Sequence, residues 1–292
     1  MINALTVDVE EYFHPSEVQL TLDPARWALL PSRAEYQIGR VLDLLDRHDV
    51  SATFFVLGWL AEHQPRVVRA IADRGHEIAC HSYAHQLIYQ MTPAAFREDT
   101  RRAVIAIENA SGRKPEAYRA PSYSITRECL WALDTLAEMG FKYDSSIYPI
   151  HHDRYGIPGF SRFAVVAETA SGPITEIPIG TVRLARNTIA PIGGGGYLRL
   201  LPCRYTAAGI RRVNSTEASP VCVYFHPWEL DPGQPRLASG TLSRLRTYTG
   251  LNTMEAKIDR LLDMFEFSTI SDVYGSMGRR KPLVTSARAG GR

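Results

Sequence analysis

The stretch Pro65–His85, "PRVVRAIADRGHEIACHSYAH", contains the repeating unit that decides the fold. Its first half places apolar residues at helical spacing and stops at Gly75, a residue that favours the end of a helix. Its second half, "HEIACHS", is a short apolar run typical of a buried strand. His81 and His85 follow directly, so a helix–strand unit ends in two side chains that can bind a metal.

Units of the same kind recur along the chain, from "NALTVDV" at residues 3–9 to "FSTISDV" at residues 267–273. Strands separated by helices of this length pair in parallel through right-handed crossovers. We therefore predict an α/β fold, a distorted (β/α) barrel of about seven parallel strands forming a single domain. A doubly wound open sheet is the alternative. The alternation weakens between residues 149 and 214, and we interpret Gly193–Gly196 as a mobile loop, because it lacks the Lys-Ser/Thr of a phosphate-binding loop.

The composition is that of an ordinary soluble globular protein, with 292 residues, 45% of them hydrophobic and 22% charged. No apolar run approaches the roughly 18 residues needed to span a bilayer. The N-terminal segment "MINALTVDVEEYF" carries acidic side chains and no basic one, so we expect no secretory signal. The four cysteines are widely spaced and include no CxxC pair. We interpret them as reduced thiols and expect a cytoplasmic location.

Charge is unevenly distributed, because Arg279–Arg292 carries four arginines, one lysine and no acidic residue in a chain of net charge +2. We predict a disordered, basic tail at residues 279–292, following a barrel domain at residues 1–278 that includes a C-terminal extension from about residue 227. The body is then slightly acidic and contains no aromatic–basic recognition motif. We therefore expect no binding to nucleic acid.

Charged or metal-binding side chains stand at the C-terminal ends of the predicted strands, where β/α barrels assemble their active sites. They are Asp8 and Glu10 after the first strand, then His81, His85, Arg119, Asp144 and His226. Random loop residues would mix serine, asparagine, lysine and glycine, without a bias toward metal-binding chemistry. The clustering therefore predicts an active site at this rim.

Two histidines and one carboxylate form a set of three ligands that leaves a position open for water, as in catalytic zinc sites. If the residues after the strand are helical, His81 and His85 project from one face and reach a single ion. Asp8 and Glu10 lie on the same side of an extended strand, so one can bind the metal while the other takes a proton from bound water.

The remaining rim residues suit proton transfer. Arg119 would hold the free carboxylate ionised and oriented. His226 would act as the general acid, with Asp144 fixing its tautomer. Each residue also has a structural alternative, since a histidine pair is more often packed or exposed than metal-bound, and His226 stands before Pro227 at a strand end. Only their common position at one rim favours the catalytic interpretation.

With these residues identified, the chain resembles, over nearly its whole length, the polysaccharide deacetylases of the NodB-homology type, carbohydrate esterase family four. "TVDVE" is similar to the first motif of the family, "HSYAH" to its H-[ST]-x-x-H metal motif and "RAPS" to its R-x-P motif. "DSS" is similar to the fourth motif and "VYFH" to the last one. The run "HPWELDPGQPR" further resembles the branch that occurs with exosortase-linked exopolysaccharide gene sets.

The resemblance implies a role for each ligand. Glu10, His81 and His85 would bind Zn2+, or another divalent metal such as Co2+ or Fe2+. Asp8 would be the base, although the commonest first motif has adjacent aspartates and here Val9 stands in the second place. The reverse assignment, with Asp8 as ligand and Glu10 as base, is the alternative.

The resemblance also implies substrate contacts. A backbone N–H near Ser122 or Tyr123 would stabilise the oxyanion of the reaction. Many members carry a tryptophan three residues after the aspartate of the fourth motif, where this chain has Ile147. Another aromatic residue would then form the apolar wall for an acetyl methyl group. The candidates are Tyr12, Tyr148 and Trp228.

The implied function is a metal-dependent hydrolase that removes N-acetyl groups from N-acetylhexosamine units of a polysaccharide or its lipid-linked precursor, in exopolysaccharide biosynthesis. The implied partner is a glycan, and a homo-oligomer is left open. One alternative keeps the site but hydrolyses a small cyclic or formyl amide. Another is a non-catalytic glycan-binding protein, which the complete set of acid, base and ligand residues disfavours.

Overall fold

The computed structural model describes residues 1–185 and 188–275, so the predicted basic tail lies outside the described residues. The strands in this part of the chain are β1 Asn3–Val9, β2 Thr53–Val56, β3 Glu77–Cys80, β4 Ala117–Tyr118, β5 Tyr143–Asp144, β6 Val165–Thr169, β7 Gly172–Glu176, β8 Thr181–Ala185, β9 Thr188–Pro191, β10 Cys222–Phe225 and β11 Phe267–Ser268. The α-helices are α1 Ser16–Gln19, α2 Ala34–Arg47, α3 Gly58–His63, α4 Pro65–Asp73, α5 Pro93–Ser111, α6 Trp131–Glu138, α7 Gly195–Leu200, α8 Cys203–Thr216, α9 Thr241–Tyr248, α10 Leu251–Met264 and α11 Ile270–Tyr274.

The main sheet runs in the order β10-β1-β2-β3-β4-β5-β7-β6. Every neighbouring pair along this path is parallel except β7 and β6, which pair antiparallel. β11 adds a short parallel pairing at the start of β1. The path from β10 to β7 therefore contains seven parallel strands, which confirms the predicted α/β fold and its strand number.

The chain that follows β7 closes most of the gap between β7 and β10. The backbone N–H of Gly180 donates to the carbonyl of Cys222 over 3.0 Å, and that of Tyr224 donates to the carbonyl of Gly193 over 2.6 Å. A β-carbon on Gly194 would lie 1.8 Å from the Tyr224 carbonyl oxygen, so only glycine fits there. The glycine run Gly193–Gly196 is thus largely a buried connector on β10, and its interpretation as a mobile loop was wrong.

The central strands of the sheet are buried on both faces. All seven residues of β1 and all four of β2 are buried, as expected for a parallel sheet packed on both faces. The helix α4 ends just before Gly75, whose φ of 83° is the left-handed conformation that glycine adopts readily. In the described ranges, no helix is both long and apolar enough to cross a membrane.

A separate aromatic cluster joins the loop after β1 to the C-terminal part of the chain. Tyr12, Phe13 and Trp27 pack there with Trp228 and Tyr248. This cluster lies beside the C-terminal ends of β1 and β10. It fixes the segment after β10 against the segment after β1, and so determines the geometry of the rim.

Candidate active site

The end of β1 and the loop after β3 bring one carboxylate and two imidazoles together. Oε1 of Glu10 lies 3.2 Å from Nε2 of His81 and 3.0 Å from Nε2 of His85. All three side chains are buried. One ligand atom from each lies within 4.8 Å of the others, which makes the triad a candidate metal site. Asp8 is outside this triad, which favours Glu10 as the ligand.

Contacts on the far side of each ring orient the two histidines. Nδ1 of His81 lies 2.8 Å from the carbonyl of Arg119, so this nitrogen carries the proton and Nε2 presents a lone pair. Nδ1 of His85 contacts the side-chain amide of Gln19 at 3.1 Å. Both Nε2 atoms therefore face Glu10. An N/O donor set of two imidazoles and one carboxylate fits a divalent transition metal.

The loop that carries the histidines is not the helix expected from their spacing. Ser82 and His85 have φ values of 62° and 53°, and Oγ of Ser82 accepts a hydrogen bond from the backbone N–H of His85 at 3.1 Å. The carboxylate of Asp99 accepts from the N–H groups of Tyr83 and Ala84 at 2.8 and 3.2 Å. These side-chain acceptors satisfy the backbone donors, so the loop folds as a tight turn.

Asp8 is bound by a fully buried arginine. Nη1 of Arg119 donates to Oδ1 of Asp8 over 2.6 Å, and the same guanidinium donates to Oγ1 of Thr6 and to the carbonyl and hydroxyl of Ser145. The guanidinium also lies 4.1 Å from the ring centre of Phe55. Burial alone would lower the pKa of Arg119, but the charge of Asp8 keeps it above its ordinary value. Arg119 is therefore a permanent cation that holds Asp8 in place.

His226 reaches the same centre from β10. Its Nε2 lies 3.9 Å from Oδ2 of Asp8 and 3.8 Å from Oε1 of Glu10. Its Nδ1 lies 3.1 Å from Oε2 of Glu229, which also accepts the backbone N–H of His226 at 2.9 Å. Burial would lower the pKa of His226, but Glu10, Glu229 and Asp8 together raise it to about 9. These carboxylates favour the doubly protonated, positively charged form of the ring.

The predicted partnership of Asp144 with His226 is wrong. The Oγ of Ser146 donates to Asp144 over 2.6 Å, and Asp144 stands opposite Glu176 in the β5–β7 pairing. Burial raises the pKa of both carboxyl groups, and the proximity of Asp144 raises that of Glu176 further. Glu229 occupies the place next to His226 instead. It stands three residues later, after a proline, where the side chain can reach back to the start of a turn, and this spacing was the missed signal.

A cleft of about 940 Å3 opens over these residues. Ser122, Tyr123 and Trp228 line it, as predicted for substrate contacts. Trp228 stacks on His226, with ring centres 5.1 Å apart. Aromatic lining residues that the sequence interpretation missed are Tyr155, Tyr197 and Tyr224.

Two predicted aromatic contacts do not line the cleft. Tyr12 is buried in the aromatic cluster, and its hydroxyl donates to the carbonyl of Pro31 at 3.1 Å. Tyr148 is buried behind Tyr123 and Tyr155, with ring centres 5.5 and 5.9 Å away. Tyr148 thus supports the tyrosines that line the cleft from behind, whereas Tyr12 belongs to the aromatic cluster beside it.

The turn after β4 offers one backbone donor to the cleft. The N–H of Tyr123 donates to the carbonyl of Ala120 at 3.1 Å, which leaves the N–H of Ser122 as the donor available in this turn. Ser122 and Tyr123 both have positive φ, of 52° and 54°. These two residues follow Pro121, and both line the cleft.

Comparisons with known proteins agree with this geometry. Residues 14–143 match the polysaccharide deacetylase family, and residues 145–275 match a domain of unknown function, DUF3473, which is the domain of exosortase-associated deacetylases. The chain is 38% identical over 98 residues to the chitooligosaccharide deacetylase of Bradyrhizobium sp. (strain ANU 289), which covers 33% of this chain and 42% of that protein. It is 30% identical over 118 residues to the peptidoglycan-N-acetylglucosamine deacetylase of Bacillus cereus, covering 36% of this chain and 43% of the relative. The chain spans less than half the length of these curated relatives.

Solved structures show the same fold over almost the whole chain. A Mycobacterium smegmatis protein assigned to the polysaccharide deacetylases superposes with a TM-score of 0.62 at 21% identity, covering 97% of this chain and 94% of that one. A Pseudomonas aeruginosa PAO1 protein with the same assignment gives 0.61 at 18% identity, covering 96% and 92%. Fold and site thus define an α/β barrel with a candidate metal triad, and with an arginine-bound carboxylate and a histidine beside it at one rim. The segment of residues 14–143 belongs to the polysaccharide deacetylase family, as the motifs of the chain predict.

Proposed function

We propose that this protein is a metal-dependent hydrolase that removes N-acetyl groups from N-acetylhexosamine units of a glycan. One observation carries the proposal: Asp8, held by a buried arginine, and His226 both face the triad of Glu10, His81 and His85. The nearest carboxylate atom of Asp8 is 3.9 Å from Nε2 of His226. A base and an acid on either side of one centre are what amide hydrolysis requires.

A divalent cation, which we propose to be Zn2+, would be held by Glu10, His81 and His85, and would lower the pKa of bound water and polarise the amide carbonyl. Co2+ and Fe2+ suit the same donor set. The contact of His81 Nδ1 with the Arg119 carbonyl supports this assignment, because it leaves the lone pair of Nε2 for the ion.

The remaining steps belong to the side chains and backbone of the chain. Asp8 accepts the proton of the attacking water, and the hydrogen bond from Arg119 holds its carboxylate in place. The N–H of Ser122 donates a hydrogen bond to the carbonyl oxygen as it becomes negative. His226 then gives its Nε2 proton to the amine nitrogen as the C–N bond breaks.

The shape of the site favours a glycan over a small amide. A cleft of about 940 Å3 is at the upper end of the range of small-molecule sites, and aromatic rings line it, as suits the apolar faces of sugar units. The Bradyrhizobium and Bacillus cereus relatives are named for acting on chitooligosaccharide and on peptidoglycan N-acetylglucosamine. We propose a polysaccharide or its lipid-linked precursor as substrate, in exopolysaccharide biosynthesis in the cytoplasm. Contact with nucleic acid is not part of this proposal.

Release of acetate from N-acetylated chito-oligosaccharides tests the function. Purified protein reconstituted with Zn2+ should release acetate, and the same protein after chelation should not. Acetate release that persists at the same rate in fully metal-free protein would contradict the metal-dependent mechanism. Turnover of small cyclic or formyl amides, with none of the oligosaccharide, would favour the alternative substrate class.

A further inference from the structure

We infer that Glu229, anchored by Arg199, is a positioning residue that holds His226 as the proton donor. The inference rests on the proposed function and deepens it, because it assigns the support of the acid to residues in the second half of the chain. Asp144 does not fill this role, because its carboxylate accepts a hydrogen bond from Ser146 instead of contacting His226.

The first link is between His226 and Glu229. Oε2 of Glu229 accepts both the backbone N–H of His226 and its Nδ1 proton, at 2.9 and 3.1 Å. The two residues enclose the short turn that begins with Pro227, and the side chain of Glu229 is completely buried. A carboxylate fixed at Nδ1 leaves Nε2 as the nitrogen that faces Asp8 and the cleft.

The second link is between Glu229 and Arg199. Nε of Arg199 donates to Oε1 of Glu229 over 2.6 Å, and the arginine side chain is only 4% exposed. The other guanidinium nitrogens donate to backbone carbonyls at the end of α9, those of Arg246, Thr247 and Thr249, at 2.6, 2.7 and 3.2 Å. Arg199 therefore donates hydrogen bonds to the carbonyl groups at the end of α9 and, at the same time, to the Glu229 carboxylate.

Contacts from α10 hold Arg199 itself in place. Nζ of Lys257 donates to the carbonyls of Leu198, Arg199 and Leu201 at 2.9, 2.6 and 2.9 Å. Gly250 has a φ of 85°, and a β-carbon there would lie 2.4 Å from the Arg199 carbonyl oxygen. The backbone of α7 is thus fixed by a lysine and by a close approach that only glycine permits.

This arrangement has a chemical consequence for proton transfer. Because Glu229 is paired with the permanent charge of Arg199, it stays ionised and accepts the Nδ1 proton without removing it. Donation of the Nε2 proton to the departing nitrogen leaves a neutral ring with its remaining proton on Nδ1. Glu229 and Arg199 thereby fix the tautomer in which Nδ1 keeps its proton and Nε2 faces the cleft.

Substrates that differ in their leaving group separate this role from a structural one. An acetylated amine needs a proton to leave, whereas 4-nitrophenyl acetate releases a phenolate that does not. In the Zn2+-reconstituted protein, Glu229→Gln should lower kcat on chito-oligosaccharide by roughly 10²-fold or more, with a smaller change in KM, and leave ester hydrolysis nearly unchanged. Glu229→Asp, which keeps a carboxylate, should recover part of the amide activity. Glu217→Gln, which removes a carboxylate paired with Arg162 elsewhere, is the matched control.

An equal loss on both substrates, or an unchanged rate on the amide, would overturn the inference. Nitrogen-15 NMR of the wild-type imidazole provides a second measurement that needs neither turnover nor a stable variant. Nδ1 of His226 should carry a proton at every pH at which the protein is folded, and a bare Nδ1 would also overturn the inference. If the wild type hydrolyses neither substrate but its Nδ1 is protonated, the proposed function fails while the positioning role stands.

Discussion

The two halves of the barrel contribute opposite kinds of chemistry to one site. The half that matches the polysaccharide deacetylase family supplies His81, His85 and Arg119, next to the carboxylates of β1. The half that matches DUF3473 supplies His226 with Glu229 and Arg199. In the first half the functional residues follow parallel strands directly. In the second half His226 follows β10 in the same way, but its supporting residues Glu229 and Arg199 lie in a turn and in α7. Ligand binding and proton donation can therefore be disrupted separately.

Loss of a triad histidine should have the largest effect. His81→Ala removes one of three ligand atoms, so we expect both bound metal and acetate release to fall to background. Metal analysis of the purified variant and an acetate assay measure the two quantities. His76→Ala is the control, since that histidine is buried beside Phe54 and away from the triad. A variant lacking His81 that retains stoichiometric Zn2+ would contradict the assignment.

Neutralising the base should separate turnover from metal binding. Asp8→Asn leaves the triad intact, so Zn2+ content should stay close to wild type while kcat on chito-oligosaccharide falls roughly 10²- to 10⁴-fold. The same two assays serve here. A near-normal rate would show that another group takes the proton, and loss of the metal would favour the reverse assignment of Asp8 and Glu10.

A substitution in the glycine run Gly193–Gly196 should affect the stability of the fold more than the catalytic reaction. Gly194→Ala would place a β-carbon 1.8 Å from the Tyr224 carbonyl oxygen, so we expect a destabilisation of about 3 kcal/mol or more. Gly196→Ala, where the nearest contact is Arg199 at 3.6 Å, should change the free energy of unfolding by less than about 1 kcal/mol. Urea unfolding of both variants measures this difference, and equal values would mean that the connector is not tightly packed.

The smallest effect should come from the buried pair of Asp144 and Glu176. Their pKa values are raised in the folded state, so their contribution to stability is present at low pH and is lost as the pH rises through those values. Glu176→Gln cannot ionise, and its stability relative to wild type should therefore increase between about pH 5 and pH 6, by at most about 1.4 kcal/mol. Urea unfolding at both pH values tests this, and a difference that stays constant or decreases would contradict it.

Most of the first half of the site could be predicted from the sequence. Its residues lie at the ends of regular strands, so their spacing along the chain determines where they lie in space. Strand periodicity places Asp8 and Glu10 on one side of β1, and the pair His81–His85 follows β3. The residues after β3 do not form a helix, because the side chains of Ser82 and Asp99 accept hydrogen bonds from the backbone N–H groups of that loop. Such a contact comes from a distant residue and leaves no periodic signal.

The second half was harder to predict because its features depend on long-range packing. The position of Asp144 at the end of a predicted strand suggested it as the partner of His226, but the short β5 places it beside Ser146 and Glu176 instead. Arg199 meets Glu229 only after α7, α9 and α10 have packed together. The run Gly193–Gly196 was interpreted as flexible for the same reason. It pairs with Tyr224 of β10, which is distant along the chain, and such a contact leaves no pattern in the glycine run itself.

The pairing of β1 with β10 determines how this protein can be recombined with its relatives. Residues 4–7 lie opposite residues 222–225, and β5 pairs with β7 across the border between the two matched segments. Each segment alone would present unpaired backbone along two edges. A chimera that exchanges the segment from residue 145 onward must therefore keep both strand registers, and the donor then brings its own proton-donating histidine to a foreign metal triad.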